Sequence, residues 1–211
     1  MSESLLPLVL FAVTMFFTPG PNNVMLTTSG AAFGFRRTFP HLLGVALGFP
    51  VMFLAVGLGL GAAFTAIPGL QRLIALIGGS YLLYLAWRIA TLPAPATDAA
   101  GEGEEAKTRA RPLSFLQAAV FQWANPKGWV MVISTLATFT SPRSLEAGDQ
   151  RLGQILVIVV VFIAVGLASS AAWAGFGVAI GQWLGVSARR RALFNGTMAG
   201  LLVLSIVPML A

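Results

Sequence analysis

Two breaks rich in proline and asparagine interrupt hydrophobic stretches of this chain, Thr18-Pro19-Gly20-Pro21-Asn22-Asn23 and Ala124-Asn125-Pro126-Lys127. Asn22 and Asn125 are separated by about half of the 211 residues, so each half carries one break at a comparable place. A lipid-exposed helix does not tolerate Pro-Gly-Pro at mid-depth, because the freed backbone groups find no water there. Irregular backbone is accepted where it is buried in protein or lines a cavity. Matching interruptions in two halves of a membrane chain point to a transporter's binding site.

The chain must first be a membrane protein for that reasoning to apply. It is 57% hydrophobic and 9% charged, with a mean hydropathy of +0.84. Soluble domains carry about 25% charged residues. The formal charge of +6 calls for no nucleic-acid partner, since basic residues in short loops answer to anionic lipid and to the orientation rule. Absence of cysteine excludes disulfides, thiolate metal sites and thiol relays. Met-Ser-Glu-Ser lacks the basic start of a secretory signal, so the first apolar segment is read as retained.

A span needs about 20 apolar residues. Candidate spans are roughly 5–28, 41–64, 69–91, 113–138, 152–174 and 192–210, with 175–185 extending the fifth as a bent or interfacial ending. Six is the most economical count; five follows if the last, with Pro208, is short or tilted. With the N-terminus outside, inner loops hold Arg36, Arg37, Arg88, Lys107, Arg109, Arg111, Arg189, Arg190 and Arg191. Outer loops then hold Arg72, Arg143 and Arg151, and the imbalance predicts both termini outside. The polar stretch 92–112 reads as a cytoplasmic linker, with a regulatory or partner-binding loop as the alternative. It divides a first repeat (1–91) from a second (113–211). The predicted fold is therefore an all-α integral membrane protein. Its six transmembrane helices form two inverted three-helix repeats, with helices one and four broken at mid-membrane.

At about 1.5 Å per residue, Pro19 lies roughly 21 Å from the outer face and Asn125 roughly 18 Å from the inner face. Both breaks thus fall within a hydrocarbon layer of about 30 Å. Pro19 and Pro21 remove two amide donors, and Gly20 is expected to supply backbone angles that other residues resist. Pro21 and Pro126 suit the first position of a restarted helix. Such a restart attracts a carboxylate, while the carbonyls of the helix that has just ended suit an ammonium. A broken helix therefore offers complementary poles for a zwitterion, which a free amino acid is. The alternative is an ordinary proline kink packed by its neighbours.

Asn22, Asn23 and Asn125 supply amides at the breaks. Lys127, costly at such depth, is assigned to the substrate carboxylate or to a proton-linked role, against simple snorkelling. The candidate substrate-binding set is Pro19, Gly20, Pro21, Asn22, Asn23, Asn125, Pro126 and Lys127. His41, beside Pro40, reads as interfacial rather than as a proton carrier. Gln122, Trp123, Ser169, Ser170 and Trp173 are weaker candidates for the path. Gly44-xxx-Gly48, Gly57-xxx-Gly61, Gly177-xxx-Gly181-xxx-Gly185 and Gly196-xxx-Gly200 permit close helix contact; a homodimer is compatible with them but not required. All seven acidic residues lie outside the confident spans, so a buried carboxylate relay is not written here.

The two breaks, with Gly34-Phe35-Arg36-Arg37 and Tyr84-Leu85-Ala86-Trp87-Arg88-Ile89, resemble the LysE/RhtB family of bacterial amino-acid exporters over nearly the whole chain. The residues before Thr18 and the Leu-Ala-Trp-Arg-Ile-Ala-Thr run are most similar to its cysteine/O-acetylserine exporter branch. That resemblance implies export of amino acids or their derivatives across the bacterial inner membrane, with the proton-motive force as driver. It also implies Asn22, Asn23, Asn125 and Lys127 as site residues. Where some members carry an acidic residue in span five, this chain has Val160, Val161 and Phe162.

Other classes fit less well. An intramembrane enzyme needs a nucleophile, metal or acid/base pair, and the spans carry neither cysteine nor carboxylate. A carrier of another small ion or a metal is the alternative function, weakened by the same missing carboxylates. A non-transporting scaffold leaves the two breaks without purpose. The expected partners are a small zwitterion and the lipid bilayer, with no cofactor.

Overall fold

The computed structural model describes residues 2–61, 66–67, 69–92, 111–140, 148–185 and 187–207, and among these the regular structure is all helical. Most of the predicted linker, together with Lys107, Arg109, Arg143 and Pro208, lies outside the described residues. The helices are α1 (Ser2–Phe17), α2 (Pro21–Ala55), α3 (Leu70–Ala90), α4 (Phe115–Phe121), α5 (Pro126–Phe139), α6 (Gly148–Leu184) and α7 (Ala188–Leu204). A π-helical turn, Val56–Leu60, continues α2, and a 3-10 turn, Gln122–Ala124, follows α4.

Both predicted breaks are present. The first apolar run stops at Phe17 and restarts with Pro21 at the first helical position. The fourth stops after Ala124 and restarts with Pro126. Two other helix starts have side-chain caps. Ser114 and Gln117 form a reciprocal capping box at α4, and Ser187 Oγ accepts the Arg190 amide at α7.

Among the described residues three stretches are long and apolar enough to cross a membrane: Pro21–Leu60, Arg72–Ala90 and Arg151–Leu184. The first is not one rod. Gly34 has φ 76° and ψ 168°, a conformation that a side chain would resist. Ser29 Oγ lies 3.0 Å from His41 Nδ1, whereas twelve residues of straight helix would separate them by about 18 Å. The chain therefore reverses at Gly34, and α2 is a hairpin of two antiparallel helices.

α6 has 37 residues, roughly 55 Å of helix, more than the hydrocarbon layer requires. The stretch 175–185, expected to bend or lie in the interface, instead continues α6 up to Leu184. It packs closely on the first arm of the α2 hairpin. A Cβ at Gly30 would fall on the Ala174 carbonyl, one at Gly177 on the Thr27 carbonyl, and one at Gly181 would sit 2.6 Å from Ala31 O. Gly44 and Gly48 on the second arm serve the same purpose against Phe115 and Ala119 of α4. These glycine rows are thus used within one chain.

Two apolar clusters fill the interior. One gathers Met25, Leu42, Val45, Leu82, Phe121 and Leu202. The other gathers Leu8, Phe49, Phe53, Met131, Ile155 and Phe162. The broken segments run between them. Phe16, Phe49, Phe53 and Phe162 stack with ring centroids 5.2–5.5 Å apart, which anchors the end of α1.

Candidate functional site

The two breaks meet. A cavity of about 30 Å³ is lined by Gly20, Asn22 and Asn23 from the first break and by Asn125, Lys127 and Gly128 from the second. Met15, Phe16, Val45, Phe49 and Met131 supply its apolar walls, and Ser169 and Ser170 of α6 close it. Asn22 pairs reciprocally with Gln122 across the breaks. Its Nδ2 donates to Gln122 Oε1 at 2.8 Å, and Gln122 Nε2 donates back to Asn22 Oδ1 at 3.2 Å. Gln122 is fully buried and also donates to the Ala118 carbonyl.

The carbonyl end of α1 is held by several donors. Asn23 Nδ2 turns back to donate to Phe16 O and Thr18 O, both at 2.8 Å. Ser169 Oγ donates to Phe16 O at 2.8 Å. Lys127 Nζ donates to Thr18 O at 2.7 Å and to Thr18 Oγ1 at 2.8 Å. The ammonium of Lys127 therefore sits at the carbonyl pole of the first break, beside Gly20, the N-cap of α2. Its attraction to that pole follows from the partial negative charge of a helix C-terminus.

The amide poles differ from each other. At the second restart Asn125 is the N-cap, with Oδ1 accepting the Lys127 amide at 3.2 Å. Trp129 Nε1 also bonds the Trp123 carbonyl there at 2.8 Å, so this break is sealed by its own side chains. At the first restart Gly20 makes no side-chain cap, and Pro21 has no amide to satisfy. The anion-attracting end open to the cavity is thus that of α2. Gly20 departs from expectation in its reason: its φ of −176° is open to any residue. Space is what matters, since a Cβ there would lie 2.9 Å from Lys127 Cδ and 3.4 Å from Nζ.

Of the predicted residues, Asn22, Asn23, Gly20, Asn125 and Lys127 share one cavity. Pro19 is exposed, while Pro21 is buried and Pro126 half-buried at the restarts. Among the weaker candidates Gln122, Ser169 and Ser170 join the site. Trp173 offers its carbonyl to Thr27 Oγ1 at 3.4 Å. Thr18 was missed, although a polar residue directly before the break was the available signal. His41, read as interfacial, is fully buried in the hairpin, because the turn at Gly34 folds it against Ser29. Among the described residues no group of three His, Cys, Asp or Glu could hold a metal ion.

Residues 13–207 match the family described as LysE type translocator. The cysteine/O-acetylserine efflux protein of Salmonella typhi is 32% identical over 158 residues, covering 74% of this chain and 73% of that protein. The protein of the same name from Escherichia coli (strain K12) is 31% identical over the same length and coverage. No solved structure matches the chain significantly.

Proposed function

Since the chain belongs to the LysE type translocator family and is a membrane transporter rather than an enzyme, we propose that it exports a small zwitterion at the meeting of its two breaks. The cargo is an amino acid or a close derivative, and its relatives' names make cysteine and O-acetylserine the first to try. The observation that carries this reading is the seat of Lys127. An ammonium group already occupies the carbonyl pole of α1, so that pole has the chemistry for a substrate ammonium. The amide pole of α2, a few ångströms away across Gly20, has the chemistry for the carboxylate.

Binding then proceeds by exchange. The substrate ammonium takes the place of Nζ at Thr18, and the released lysine turns to the substrate carboxylate. Asn22, Asn23, Asn125 and the turns held by Pro19, Pro21 and Pro126 keep the two poles in register. A cavity of about 30 Å³ holds about one water-sized group, so the cargo is admitted only as the lysine withdraws and the breaks part. That coupling suits alternating access between two inverted three-helix repeats, residues 1–91 and 113–211, joined by the 92–112 linker. The proton-motive force is the proposed driver, in a multi-pass inner-membrane protein with both termini outside.

Export of a labelled amino-acid panel from loaded vesicles, with and without a pH gradient, tests the reading. Cysteine or O-acetylserine should leave faster than from protein-free vesicles, and faster still with the exterior acidic. Equal rates for every compound with and without protein would end the proposal. Orientation has its own check, helped by the natural absence of cysteine. Ala99→Cys in the linker should resist an impermeant thiol reagent on intact spheroplasts and react after lysis; ready labelling before lysis reverses the topology.

A further inference from the structure

A second cavity, of about 50 Å³, lies along the same hairpin toward Gly34. Its polar lining is Thr28, Ser29 and His41 of the hairpin, Arg88 near the end of α3, and Arg111 just before α4. No carboxylate is among the described residues that line it. His41 is fully buried, and its Nε2 has no hydrogen-bond partner among the described residues. Leaving a buried polar atom unpaired costs about 1–3 kcal/mol, and native structures rarely keep one without a reason.

The cations around the ring point to an anion as the missing partner. Ser29 Oγ lies 3.0 Å from Nδ1. The Ser29 hydroxyl can donate to Nδ1 or accept from it, and an anion beside Arg111 selects the tautomer with the proton on Nε2. The neighbouring guanidinium groups are permanent cations that match planar carboxylates. Arg88 is already held over the Tyr84 ring, 5.9 Å from its centroid. Arg111 has an exposed side chain. One anion with planar acceptor geometry would bridge the unpaired Nε2 and the exposed Arg111, beside Arg88 on its Tyr84 ring.

Position ties this cavity to transport. Ser29 is seven residues from Asn22 and His41 is four from Val45, spacings that stay on one helix face. Asn22 and Val45 both line the break site. The two cavities are thus about 10 Å apart along one hairpin.

We infer that this cavity is an antechamber that binds a small carboxylate through Arg111 and His41 Nε2, with Arg88 adding positive field, before the cargo reaches the break site. Its place in transport rests on the export reading above; its carboxylate chemistry does not. The cargo's carboxylate enters first, held by fixed cations, and its ammonium is left free for Thr18 at the next site.

The chain has a single histidine, so 15N-imidazole labelling gives one ring system to watch by NMR. The full-length protein in nanodiscs is titrated with N-acetylserine, serine methyl ester and inorganic phosphate at matched ionic strength. N-acetylserine should move the Nε2 resonance saturably, and the methyl ester, which lacks a carboxylate, should not. Arg111→Gln, at an exposed position, should weaken the response about tenfold. Lys127→Met should leave it intact, since that residue belongs to the other cavity. The inference is overturned by no saturable shift with N-acetylserine, by an unchanged response in Arg111→Gln, or by phosphate binding as tightly. An intact titration alongside failed vesicle export would overturn the export reading alone.

Discussion

Gly177→Leu should leave the chain inserted in the membrane but remove a large share of its folded stability. At this glycine α6 touches the first arm of the α2 hairpin backbone to backbone, and a Cβ would fall on the Thr27 carbonyl oxygen. A carbonyl in the middle of a helix cannot move aside as a flexible side chain can. The two helices must separate, and the same separation opens the neighbouring contacts at Gly30 and Gly181. Overpacking usually costs about 1–3 kcal/mol, occasionally more, and a backbone clash repeated along one seam belongs at the upper end. Insertion is not at risk, because leucine is more apolar than glycine. Gly175→Leu is the matched control, two residues away on the same helix with nothing within 4 Å of its Cβ position. Thermal unfolding in detergent should show a large fall in Tm for Gly177→Leu and little change for Gly175→Leu. Equal behaviour of the pair would mean that this seam does not hold the fold.

The seam and the breaks were legible to different degrees, for a physical reason. Pro-Gly-Pro and Asn-Pro-Lys act on their own backbone, so the stops at Phe17 and Ala124 and the restarts at Pro21 and Pro126 could be read locally. The reversal at Gly34 was also marked, by glycine followed by Phe35, Arg36 and Arg37 between apolar runs. The glycine rows announced close contact but not with what: Gly177 meets Thr27, about 150 residues away in sequence. Long-range pairing was equally hidden in the site. Nothing near Asn22 names Gln122 as its partner, and nothing near Lys127 names Thr18. His41 shows the limit best. Its place beside Pro40 at the edge of an apolar run fits an interface, yet the hairpin buries it completely.

Lys127→Met should insert at least as well as the parent and lose export. On insertion scales a lysine at the centre of a membrane helix costs about 2.5–3.5 kcal/mol, a cost that methionine does not carry at the depth proposed for Lys127. The fold also tolerates the change at Thr18, whose carbonyl keeps its bond from Asn23. The loss falls on the cargo. A charge-assisted hydrogen bond contributes about 1.5–3 kcal/mol, so affinity for a zwitterion should fall roughly tenfold to a hundredfold if the released lysine holds the carboxylate. Lys127→Arg should recover only part of this, because a planar fork does not reproduce a compact ammonium at Thr18. Gly20→Ala probes the same seat from the other side, since its Cβ would press on Lys127 Cδ and Nζ and push the lysine off its carbonyl. Binding and gradient-driven export measured on one Lys127→Met sample separate three roles. Weak binding and weak export together mark a carboxylate partner. Normal binding with export that no longer responds to the pH gradient marks a proton carrier. Tighter binding with little export marks a plug, an internal ammonium that competes with the cargo for Thr18 and must be displaced on every cycle. Parental values for both measurements would remove Lys127 from the mechanism, and with it the exchange of ammonium groups at the first break.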